Sequence, residues 1–192
     1  MSELQKRLKE ETSSLHSESE QHPLMKSFVD RSFKKQHLLE LLINLVPVYQ
    51  VVEQRLISKE IIDNPDLKRS TQIQKDIDKL IVDTGITTLK VREITENWVA
   101  SSWKKNIYLL KADFYLRWLA DFYGGRILAK SQEPYNEMYN AKDSGTVIAT
   151  VRYLLTKDTP DICNNSIVDE TKAFFKYHIE LFDEILWNKP LI

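Results

Sequence analysis

The 192-residue chain is poor in nearly everything that interrupts a helix. It holds only four glycines and six prolines, and alternating β-branched runs are rare, so long helices with few breaks are the natural reading. A lone cysteine, Cys163, excludes an internal disulfide and any metal site built on paired thiols; we read it as structurally incidental. The formal net charge is -1, without the basic surplus of a nucleic-acid-binding domain, so nucleic acid is not an expected partner. No apolar run approaches the roughly 20 residues of a membrane helix, and the opening MSELQKRLKEE has no apolar signal core. The expectation is a cytoplasmic protein without a membrane partner, and a monomer by default.

What remains is ordinary material for a folded protein: 42% hydrophobic and 29% charged residues, enough to build a core and against disorder. The length suits one domain, 1–192. A first helix is expected from Ser2, where Ser2 and Gln5 have capping-box spacing, to about Glu20, before Pro23, with Leu4, Leu8 and Leu15 on one stripe. A second, Lys34 to Ile57, carries apolar residues at helical spacing and should bend at Pro47. The Asn64-Pro65-Asp66 stretch connects to a shorter helix holding Ile73, Ile77 and Leu80, ended by Asp83-Thr84-Gly85. Helices follow at about Lys90 to Ser102, Asn106 to Ser131, Thr146 to Thr156 and Asp169 to Trp187, while Pro134 to Gly145 reads as a surface connection. The fold class is an all-α, single-domain helical bundle.

Two features call for a chemical account. Gly124 and Gly125 stand side by side inside an otherwise helical segment, each costing on the order of 1 kcal/mol against alanine. They suit a helix boundary, close helix packing, or a kink whose bare backbone lies against a flat ligand. His16 lies two turns beyond Leu8, with Glu20 one turn further and within reach of its imidazole. That pattern suits a surface histidine with a stabilising neighbour, and equally a metal ligand whose second nitrogen is held by a carboxylate.

Together these segments resemble the haem (heme) oxygenase family, of the bacterial biliverdin-producing type. LKEETSSLHSESE is similar to the proximal-helix motif, HPLMKSF keeps the spacing to a pocket methionine and phenylalanine, YLRWLADFYGG resembles the distal motif YxRYLGDLSGG, and ETKAFFKYHIELFDEI resembles the last pocket helix. The resemblance implies haem (iron protoporphyrin IX) as cofactor and substrate, with O2 as co-substrate. It makes His16 the axial ligand and Glu20 its partner. Asp121 anchors a distal water network with Tyr49 and Arg117, and Gly124 and Gly125 crowd one haem face. Met25, Phe28, Phe175 and Phe182 line the pocket; Lys9, Tyr115 and Arg152 meet the propionates.

The chain departs from the pattern at Ala120, where the family has its first glycine, at Tyr123, which replaces a serine, and at Ser13, where a basic contact is common. His178 on the last helix is read as a partly buried packing histidine. The implied activity is oxidative cleavage of haem to biliverdin, CO and iron. With no GxGxxG motif in the chain, electrons come from a ferredoxin or an NAD(P)H-dependent reductase. Arg117, Arg126 and Lys130 form a stretch that could face such a donor. The alternative is a haem-binding carrier or sensor with little or no turnover. A thiaminase-like or di-iron protein of the same broad helical kind lacks a convincing cysteine or E-x-x-H pattern here.

Overall fold

The computed structural model describes residues 2–57, 65–140 and 144–187, which form ten α-helices and no strand. The expected all-α class is met. In chain order they are α1 Glu3–Glu11, α2 Ser13–Gln21, α3 Pro23–Val29, α4 Lys35–Ile57, α5 Ser70–Thr84, α6 Glu93–Ser102, α7 Ile107–Tyr123, α8 Gly125–Ser131, α9 Ser144–Thr156 and α10 Asn164–Trp187. Three short 3-10 turns, Pro65–Leu67, Glu137–Tyr139 and Asp161–Cys163, complete the described structure.

The expected first helix is two helices. The capping box forms: the Ser2 hydroxyl accepts from the Gln5 amide, and the Gln5 side chain accepts from the Ser2 amide. At Thr12, however, the hydroxyl donates to the Leu8 carbonyl at 2.7 Å and the backbone leaves helical angles, so α2 starts in a new direction. The chain turns again at His22, which is extended, as suits the residue before a proline, and Pro23 starts α3. These breaks fold α2 and α3 onto α10.

α4 runs unbroken through Pro47 and is the central element, packed on α5, α6, α7 and α10. Its Leu38, Leu42, Leu45, Tyr49 and Leu56 are almost wholly buried, each large aliphatic contributing roughly 1.5–3 kcal/mol of burial. A buried carboxylate on α4, Glu53, accepts from the Arg69 and Ser70 amides at 2.6 and 2.9 Å, capping α5 from outside. As expected, α5 ends at Gly85, whose φ of 68° is the left-handed conformation that suits glycine.

Four boundaries differ from expectation. The Lys90 helix begins at Glu93, the Thr146 helix at Ser144 and the Asp169 helix at Asn164; the Asn106–Ser131 helix is interrupted at Gly124 into α7 and α8. The segment after Pro134 is no surface connection: Tyr135 and Met138 are buried, because the Asp76 carboxylate on α5 accepts from the Glu137 and Met138 amides at 3.0 and 2.9 Å. Asn64 and residues 141–143 lie outside the described residues. A second, smaller core of Leu4, Leu8, Ala112, Leu155, Ile167 and Val168 ties α1 to α7, α9 and α10.

Candidate active site

A cavity of about 450 Å³ opens between α2, α3, α4, α7, α8 and α10, a size within the range of small-molecule and cofactor sites. Its walls are mainly apolar, from Phe28, Leu38, Leu42, Leu116, Phe175 and Phe182 among others. Four further sequence-derived candidates, His16, Glu20, Met25 and Tyr115, line it, as do Arg117, Asp121, Gly124 and Gly125.

His16 lies at the rim, its side chain 58% exposed, with the ring edge-on to Phe175 at 5.8 Å between centroids. Its Nδ1 is 3.5 Å from a Glu20 carboxylate oxygen. With Nδ1 turned toward Glu20, the Nε2 atom is the one left to meet a ligand.

From α7 comes a polar group set in an otherwise apolar wall. The Tyr49 hydroxyl, one layer behind the wall, donates to Asp121 Oδ2 at 2.5 Å and accepts from Arg117 Nε at 2.5 Å. Arg117 Nη2 closes the triangle 3.4 Å from Asp121 Oδ1. Burial pushes the Tyr49 phenol well above its usual range, so it remains a neutral donor. Burial also raises the Asp121 carboxyl, opposed by the Arg117 charge and the Tyr49 hydrogen bond. The result is a buried acid that can hold or release a proton at the cavity surface.

The two glycines have different surroundings. Gly124 keeps right-handed helical angles, and a Cβ there would meet only the Ala120 carbonyl, at 3.2 Å. A Cβ on Gly125 would lie 2.4 Å from Cδ1 of Tyr139, whose ring fills that space. The close approach at Gly125 is therefore to a ring of this chain, contributed by the segment read as a connection.

A family model described as heme oxygenase matches residues 2–184. The chain belongs to the haem oxygenase family. It is thus an enzyme of the class its motifs resemble. Over a 208-residue alignment it is 24% identical to a heme oxygenase from Porphyra purpurea, with 96% of this chain and 87% of that protein covered. Its fold is similar to that of heme oxygenase-1 from Synechocystis sp. PCC6803, solved in complex with heme: TM-score 0.85, 23% identity, 97% of this chain and 94% of the other covered. Heme oxygenase from Leptospira interrogans is similar with a TM-score of 0.81 and 23% identity, over 95% of this chain and 100% of that one.

Within this haem oxygenase, two sequence-derived contacts fall outside the cavity wall. Lys9 is exposed on α1, ahead of the Thr12 break. Arg152 lies behind the rim, its Nη2 donating to the Tyr123 hydroxyl at 2.8 Å. Tyr123, half-exposed and paired with Arg152, is thus a rim residue rather than an obstruction in the depth of the cavity. Ala120 does line the cavity. Ser13 is exposed and turned back on the Glu10 carbonyl. Arg117 belongs to the inner network and leaves the positive stretch proposed from sequence to Arg126 and Lys130.

Among the cavity residues that the sequence did not assign to the site are Gln132, Tyr139 and His178, the last read from sequence as a packing histidine. Gln132 and Tyr139 sit in or beside the aperiodic Pro134 segment, where no pattern marks them. His178 is 5% exposed and lines the cavity; its spacing of three and four from Phe175 and Phe182 was the available signal. Cys163, on its 3-10 turn, packs against the smaller core and is not in the cavity wall.

Proposed function

We propose that this chain binds haem in the α2–α10 cavity and degrades it with O2 to biliverdin, CO and iron. The observation that carries the reading is that one apolar cavity brings together an imidazole at its rim and a buried Asp121–Tyr49–Arg117 network in its wall. The residues present fit the group: apolar walls suit the macrocycle, His16 Nε2 suits the iron, and Tyr115, Tyr123 and Arg152 cluster where acidic edge groups would emerge. Related folds point the same way, since the Synechocystis protein was solved with heme.

When bound, haem supplies an iron that activates O2 and a meso carbon that is the atom oxidised. The protein's part is positioning and proton control. His16, steadied by Glu20, holds one face. Asp121, with Tyr49 fixing one oxygen and Arg117 the other, can hold or release a proton at its carboxyl, and ordered water would carry it across the cavity. The Gly124 backbone, bare of a side chain at the wall, would let a flat macrocycle lie close against the end of α7 and so help to set its orientation in the cavity. Phe28, Phe175 and Phe182 exclude bulk water.

Electrons come from a ferredoxin or an NAD(P)H-dependent reductase. The chain acts as a single domain, 1–192, monomeric and in the cytoplasm; the family match over residues 2–184 supports the first point. No helix among the described residues is long and apolar enough to cross a membrane.

The test is an optical titration with haemin, then a reductase system in air, with His16→Ala in parallel. A Soret band altered by the substitution, decaying in the wild type to a biliverdin spectrum, is the expected result. Saturable binding without decay would identify a carrier or sensor instead, and no saturable binding would overturn both.

A further inference from the structure

The cavity wall contains a second imidazole to which the reading above assigns no role. His178 Nδ1 lies 2.8 Å from the Phe174 carbonyl oxygen. A carbonyl can only accept, so Nδ1 carries the proton and Nε2 presents a bare lone pair. That lone pair faces Arg117, with Nη1 3.5 Å away. On the same guanidinium, Nε donates to the Tyr49 hydroxyl and Nη2 faces the Asp121 carboxylate. The three nitrogens thus meet three acceptors supplied by three helices, α4, α7 and α10.

We propose, building on the haem-degrading reading, that His178 is a positioning residue: the third acceptor that sets the plane of the Arg117 guanidinium and, through it, the direction in which Asp121 offers its proton. The ring is held in place by edge contacts to Phe174 and Tyr177, with centroids 4.5 and 5.0 Å away. It also stays an acceptor. Burial, together with the Arg117 charge, lowers its pKa to about 3, so no second cation arises against the guanidinium at neutral pH. A guanidinium fixed on two sides can still pivot about the axis between them; a third contact removes that freedom. Aligning a proton donor to a fraction of an ångström is the kind of order on which turnover depends.

The experiment compares wild type, His178→Phe and His178→Asn. In the ligand-free protein, 15N NMR should show the Nδ1-protonated tautomer from pH 5 to 8. The Arg117 Nη groups should rotate slowly in the wild type and in His178→Asn, whose side chain keeps an acceptor, and freely in His178→Phe. With haemin and a reductase, kcat should fall about tenfold in His178→Phe and recover in His178→Asn, at unchanged haemin affinity. A protonated Nε2, or Arg117 signals indifferent to both substitutions, would overturn the proposal. So would loss of a low-spin haemin spectrum in both variants, which would make His178 an iron ligand. If His178→Phe does not fold, the wild-type tautomer and the His178→Asn spectra decide. If wild-type protein fails to bind haemin, the haem reading falls, and the ligand-free Arg117 signals still decide the role of His178.

Discussion

Tyr139 packs its ring edge into the space where a Cβ of Gly125 would stand, while the position next door is nearly open. The two glycines should therefore answer differently to the same added methyl group. Gly125→Ala must displace a partly buried aromatic ring and should destabilise by about 1–3 kcal/mol. Gly124→Ala, already at helical angles, should change stability by much less, since a gain in helix propensity offsets one tight contact. Urea denaturation of the two variants measures this, and equal losses would refute the distinction. At this scale the sequence was informative wherever a residue type implied its chemistry: His16, Asp121 and Arg117 all reach the cavity wall. It was uninformative where the partner is distant in the chain. Nothing around Gly125 announces a tyrosine fourteen positions on, and nothing around His178 announces Arg117.

Among the elements, α1 has no cavity residue, yet it bears on the cavity by fixing where α2 begins. Leu4 and Leu8 are buried in the smaller core, Gln5 Nε2 donates to the Arg152 carbonyl, and Lys172 on α10 pairs with Glu11. Leu8→Ala should cost about 2–5 kcal/mol and weaken haemin binding although Leu8 touches no cavity; thermal melts and a haemin titration check both effects. The last helix brings a pH dependence. His178 has a folded pKa of about 3 against an ordinary 6.5, so the unfolded chain binds the extra proton. Stability from this group is complete above pH 6.5 and is lost as pH falls through the window, by up to about 1.4 kcal/mol per pH unit. Buried Asp121 and Glu53, raised by burial, act in the opposite sense. The measurable quantity is the wild-type minus His178→Asn difference in urea midpoint between pH 4 and 7, which should shrink on acidification. Helix periodicity located α4 and α5 well because apolar repeats and the Gly85 stop are local. The break at Thr12 depends on one hydroxyl choosing a carbonyl, which no periodicity records.

For the whole molecule, a ligand that binds only the folded cavity must raise folding stability. Haemin at 100 times its Kd should add about 2.7 kcal/mol. The rise in Tm should largely vanish in His16→Ala, and an equal rise in both would remove His16 as ligand. The fold class was legible from composition and period together; the cavity was not, because it exists only where helices far apart in sequence meet. That separation has a consequence during synthesis. His16 on α2 is synthesised long before the wall it faces, at Phe175 and Phe182 on α10. A nascent chain halted anywhere before α10 has an exposed histidine and half a greasy trough. Haem capture must therefore wait until α10 has been made and has folded back, and free haem meeting chains that lack it would find one wall of the cavity missing.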